Sequence, residues 1–96
     1  MKKENQKAIL MMLEQDINDT GIPGSRYNSR SNIEEINGEY VLRVQERLLL
    51  NDEILTRDIT PKQVLKWSLD NMGDYFKGYL RWFNAEKKAA RHKEAE

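Results

Sequence analysis

The sequence predicts an α+β fold: a helix, a three-stranded antiparallel meander and a long C-terminal helix. Three observations carry that expectation. Asn37-Gly38 lies between IEEI and EYVLRV, and Asn-Gly is the strongest short hairpin signal because both central residues of a type I′ turn need positive φ. Thr60, Pro61 and Gln63 supply an N-cap, a first-turn proline and a capping-box partner, which together mark a helix start. Gly21 and Pro23 close an amphipathic segment before them, as a C-terminal glycine followed by proline should.

The first helix is expected over residues 3–19. Ile9, Leu10, Leu13 and Ile17 fall on one stripe there, with Glu4, Lys7, Glu14 and Asp16 away from it, and Met11 and Met12 widen the apolar arc. Residues 20–32, TGIPGSRYNSRSN, are dense in Gly, Ser, Asn and Pro and read as a surface loop carrying Arg26, Tyr27 and Arg30.

The meander occupies residues 33–59, with Asn51-Asp52 as its second turn. Two-residue turns at both pairs set Ile33 opposite Leu42, Val44 opposite Ile59, Glu46 opposite Arg57 and Leu48 opposite Leu55. One sheet face then holds Ile33, Tyr40, Leu42, Val44, Leu48, Leu55 and Ile59, interrupted by one cross-strand ion pair. The other face carries Arg43, Gln45, Arg47, Thr56 and Asp58, with Val41, Leu49 and Ile54 around them. Two turns chosen independently yield one apolar and one polar face, which favours the meander. The alternative is an all-α bundle, since Ser31 and Glu34 fit a capping box and Ile33, Ile36, Tyr40, Val44 and Leu48 fit a helical stripe. Gly38 inside such a helix and the β-branched Ile59-Thr60 count against it.

A long helix follows over residues 61–91, with 92–96 as a frayed tail. Leu65, Leu69, Met72, Phe76, Tyr79 and Phe83 recur at spacings of four and three and define its core seam. Val64, Tyr75 and Trp82 flank that seam, and Trp67 lies beside the notch left by Gly78. A helix of this length runs roughly 45 Å, whereas three strands cover only about 15 Å of width. The excess is met by the first helix, by a break near Gly73 into two folded-back helices, or by a second copy of the chain.

Composition bounds the function. A chain of 96 residues is read as one domain. Sixteen basic residues balance sixteen acidic ones, so no whole-molecule field draws it to nucleic acid or to an anionic membrane. The absence of cysteine removes disulfides and thiolate metal sites and fits a reducing, cytoplasmic setting. The apolar run Ala8 to Leu13 is too short for a signal peptide or a membrane span.

Catalytic and metal signals are weak, so an enzyme is not expected, nor a metal or other cofactor. Asp16, Asn18, Thr20 and Gly21 match the start of a calcium loop, but Tyr27 stands where the bidentate Glu belongs. His92 is the only histidine, the serines have no plausible base, and the pairs Glu34-Glu35 and Asp52-Glu53 read as solvated turn charges.

Two binding surfaces remain. The aromatic arc of the long helix exceeds what a small sheet can bury, and Trp, Tyr and Arg often dominate protein interfaces. Trp67, Tyr75, Arg81 and Trp82, with Arg26, Tyr27 and Arg30 of the loop, are therefore the expected partner-binding residues of a small regulator, inhibitor or adaptor. Proteins of this size and kind are often encoded by phages and mobile elements, an analogy from general character alone. Self-association through the long helix is a further expectation. The alternative is nucleic-acid binding through Arg43, Gln45 and Arg47 on the exposed sheet face, aided by Lys87, Lys88 and Arg91. NGEYVLRV followed by TPKQVLKW faintly resembles the strand-turn-strand-strand-helix run of phage-integrase arm-binding domains, over less than half of the chain. Those domains carry more basic strands, whereas Glu34, Glu46, Asp52, Glu53 and Asp58 lie in this one.

Overall fold

Helix α1 (Lys3–Asp19) presents Leu10, Leu13 and Ile17 to the interior, the stripe its periodicity sets out. Met11 and Met12 stay about half exposed. The structure, a computed structural model, describes residues 2–19, 30–47 and 54–95, the side chains of Arg47 and of residues 91–95 excepted. Strands β1 (Arg30–Ile36), β2 (Glu39–Arg47) and β3 (Ile54–Ile59) form one antiparallel sheet in the order β1-β2-β3. Helices α2 (Pro61–Asp70) and α3 (Tyr75–Ala95) complete an α+β architecture. The all-α alternative is thereby excluded: Ser31 to Ile36 lie in a strand. Strand β1 begins three residues earlier than expected, so Arg30 to Asn32 belong to the sheet.

Asn37 and Gly38 take φ of 53° and 78°, the double positive φ of a type I′ turn, and Ile33 stands opposite Leu42. The second register differs from expectation. Ile59 pairs with Leu42, Arg57 with Val44 and Leu55 with Glu46, displaced by two residues from the register expected from a two-residue turn at Asn51-Asp52, a pair that lies outside the described residues. Because side chains alternate with period two, an even slip leaves every residue on its expected face and changes only its neighbour. Leu42, Val44, Leu55 and Ile59 are accordingly buried. Leu48 and Leu49 lie outside the described residues.

The slip also re-partners the charges. Glu46 is not paired with Arg57 across the strands; it is 2% exposed and meets Lys87 Nζ of α3 at 3.2 Å. Arg57 reaches Glu86 of α3 at 3.5 Å. Two ions on the core side of the sheet are thus each bound to the same turn of α3, which fixes that helix over β2 and β3. Burial and the negative Glu46 together push the Tyr79 hydroxyl well above its ordinary pKa.

The long helix does not form in one piece. Thr60 caps α2 as expected, accepting the Gln63 N–H at 3.2 Å while its own N–H donates to Gln63 Oε1 at 2.9 Å. Ten residues later the helix stops. The Gly73 N–H donates to the Ser68 carbonyl at 2.7 Å, the six-to-one bond of a Schellman motif, with Met72 at φ 56° and Gly73 at φ 93°. The Asp74 carboxylate then accepts the Lys77 N–H at 3.1 Å and caps α3. The two helices fold back against each other, and the length conflict disappears, since α2 is only about 15 Å long. Helical backbone in α3 continues to Ala95, past the expected end at Arg91.

The break rotates α2 relative to the seam expected of a continuous helix. Pro61 and Val64 are its buried residues, whereas Leu65 is 42%, Leu69 84% and Met72 100% exposed. Below the break the seam holds: Tyr79 and Phe83 are buried and Phe76 packs on them.

Contact between α2 and α3 rests on Gly78. A Cβ built there would lie well inside 3.0 Å of both Cβ and Cγ of Trp67, distances that real side chains do not adopt. Gly78→Ala is a sharp test, because alanine favours an isolated helix by about 1 kcal/mol while overpacking here costs about 1–3 kcal/mol. We expect net destabilisation on denaturant unfolding; a gain would refute the close approach. Lys87→Met should cost up to about 3–5 kcal/mol by removing the cation that faces the buried Glu46 carboxylate, whereas Glu46→Leu with Lys87→Met should recover most of it, measured on the same titration.

Candidate functional site

Trp67 of α2 and Trp82 of α3 meet where the helical hairpin crosses, with ring centroids 5.5 Å apart. Trp67 also lies 6.2 Å from Tyr79, and Trp82 lies 6.1 Å from Phe83. Phe76, Tyr79 and Phe83 stack in turn at 5.7 and 5.6 Å. The aromatic surplus noted in the sequence is therefore largely spent inside the molecule, on closing the hairpin and joining it to the core. Both indoles remain partly covered and packed against the core cluster.

The polar members of the expected partner-binding set are also engaged internally. The Tyr75 hydroxyl donates to Asp16 Oδ2 of α1, tying the start of α3 to the first helix. Burial and then this bond to a carboxylate raise the Tyr75 pKa from its ordinary 10.0 to about 12. Arg81, exposed, donates through Nη1 to Asn71 Oδ1 at 3.2 Å. Asn71 in turn donates Nδ2–H to the Trp67 carbonyl at 2.9 Å, so the trio clasps the hairpin at its turn. Arg26 and Tyr27 lie outside the described residues, as do Thr20, Asp52 and Glu53.

The residues named for nucleic acid separate. Arg30, Gln45 and Thr56 stand side by side across the three strands, and Arg30 is exposed, so Arg30 joins the polar sheet face from β1. Arg43 is held by Asp58 directly across the ladder, Nε to Oδ1 at 3.0 Å and Nη2 to Oδ2 at 3.3 Å. That bidentate contact raises the Arg43 pKa further and occupies the fork a phosphate would need. Glu34, Glu39 and Asp58 share this face with Arg30 and Arg43 by register, so among the described side chains it carries no excess of cations. Arg47 closes the ladder opposite Ile54; its side chain and that of Arg91 are not described. Lys87 is turned inward to Glu46 and lies 5.4 Å over the Phe83 ring, which corrects its expected place in a solvated basic tail. Lys88 is exposed.

What sequence reasoning placed in the core and the structure places outside is the row Leu65, Leu69 and Met72. Large aliphatic side chains on the free side of a helix whose other side is already packed form the most conspicuous unpaired surface among the described residues. The Asp74 cap following Gly73 is the signal that would have revealed it. Among the described residues no group of three or more His, Asp or Glu gathers as metal ligands do, and no helix is long and apolar enough to cross a membrane.

No family model, curated protein or solved structure matches the chain.

The Tyr75 bond has a pH signature. Its folded pKa is raised, so its contribution to stability is complete below the ordinary value near 10 and is lost as pH climbs toward about 12. Tyr75→Phe should cost about 1 kcal/mol at neutral pH and should flatten the alkaline fall in stability across that window. A fall of unchanged steepness in the variant would show that other groups cause it.

Proposed function

We propose that the chain is a small non-catalytic protein-binding regulator or adaptor whose contact surface is the outer face of α2. The observation that supports this most is Met72. It holds a left-handed φ of 56° at a helix end where glycine is the usual residue, and its apolar side chain is fully exposed. The left-handed φ costs folding stability and the exposed side chain returns none by burial, and a residue that breaks a local rule without return inside the fold points to a demand from outside it. Leu69 and Leu65 extend the same surface along the helix.

The aromatic hairpin supports the reading in a second way. Trp67, Trp82 and the Asn71-Arg81 clasp hold α2 in one orientation, and a preorganised face loses less entropy on binding. These side chains act here as the rigid mount for the aliphatic row. The nucleic-acid alternative has less support, because Arg43 and Lys87 are already paired with carboxylates.

Met72→Gly separates binding from folding. It should raise stability by about 1 kcal/mol by relieving the left-handed strain, and together with Leu69→Asp it should abolish capture of a protein partner in quantitative affinity purification. Arg30→Ala with Gln45→Ala, on the sheet face, should leave capture intact. Well-folded Leu69→Asp and Met72→Gly proteins that capture as the parent does would overturn the proposal.

A further inference from the structure

The charges beside the aliphatic row specify what it can pair with. Lys62, Lys66 and Asp70 follow at intervals of four along α2, all exposed, and residues so spaced form one row on a helix surface. That row runs beside Leu65 and Leu69. It is basic in its first half and acidic at its end. Among the described residues no ion pair engages these three. A partner helix with an acid opposite Lys66, a base opposite Asp70 and aliphatic side chains beside them is complementary to it.

A second copy of α2 meets that specification when it runs antiparallel. A two-fold axis between Lys66 and Asp70 sets Lys66 against Asp70 of the second copy and Asp70 against its Lys66. The same axis brings the two Leu65, Leu69 and Met72 rows together. A parallel arrangement sets Lys against Lys and Asp against Asp, which is repulsive. Self-complementarity of this kind is the defining property of an isologous interface. The balance of sixteen basic and sixteen acidic residues adds no net repulsion between copies.

We infer that the outer face of α2 is a homodimer contact, in which two α2 helices pack antiparallel through Leu65, Leu69 and Met72 and are held in register by reciprocal Lys66-Asp70 pairs. This rests on the reading above that the face is a protein-binding surface, and it names the partner. With α2 only ten residues long, the contact lies at the small end of specific interfaces, below about 1,200 Å² in total. Such a dimer is weak and concentration-dependent.

Sedimentation equilibrium over a wide micromolar range tests it, using the full chain and variants at exposed positions. The parent should pass from monomer to dimer as concentration rises. Lys66→Asp and Asp70→Lys should each weaken the dimer about tenfold or more by opposing like charges. The double variant Lys66→Asp/Asp70→Lys, which restores opposite charges with their places exchanged, should return to the parent's constant. Restoration by the double variant is a result that no heterologous contact or loss of folding produces. A parent monomeric throughout, or single reversals without effect, overturns the inference. If the parent is monomeric yet Leu69→Asp abolishes capture of a different protein, the second copy is wrong and the binding surface stands. If Leu69→Asp changes neither self-association nor capture, both readings fall.

Discussion

The contact between Trp67 and the backbone at Gly78 is the constraint on which the arrangement depends. A side chain at position 78 would hold the two C-terminal helices apart. With glycine there, the indole lies against the α3 backbone, and the hairpin closes over a short turn. Once α3 is laid down in this way, its phase is set. Tyr79 and Phe83 enter the core, and one turn later Glu86 and Lys87 meet Arg57 and Glu46 of the sheet. The same closure commits Val64 and Pro61 to the inside of α2 and turns Leu65 and Leu69 away from it. The binding surface proposed here is thus the reverse side of a packing solution rather than a separate invention.

Charge is used differently on the two sides of the sheet. On the exposed side Arg43 and Asp58 pair across adjacent strands at the surface, where such a pair adds little stability but neutralises the face. On the inner side the ion pair of Glu46 and Lys87 is almost wholly out of water. Removing two ions from water is costly, and leucine and methionine in their places would pack at least as well. What the pair supplies is a second tie in the same phase: the buried Glu46 carboxylate meets Lys87 on the side of α3 that the hairpin turns toward the sheet.

The sequence was most legible where a signal is local. The Thr60 capping box, the Asn37-Gly38 turn and the stripe of α1 each depend on residues within one turn of one another, and each stands as read. Register between β2 and β3 was less legible because inward and outward patterning repeats every two residues; it fixes the face of Val44 but not whether Arg57 or Ile59 stands opposite. Helical phase failed across the break for a similar reason. The four-three spacing from Leu65 to Phe83 persists through Met72 and Gly73, but the helix does not, so Leu65 and Leu69 were assigned to a seam they do not join. The inward turn of Lys87 has no local signal at all, since it depends on a carboxylate forty-one positions away. The candidate surface was hidden for the same reason as the break.

A thioether standing fully in water has a chemical exposure as well as a physical one. Among the described residues Met72 is the sulfur most open to oxidants, with Met11 and Met12 about half covered. Conversion to the sulfoxide replaces an apolar group by a polar, chiral one. Because nothing inside the fold leans on that side chain, the fold would survive the change. The end of the aliphatic row would not, so the surface of α2 is sensitive to redox conditions that leave the rest of the molecule untouched.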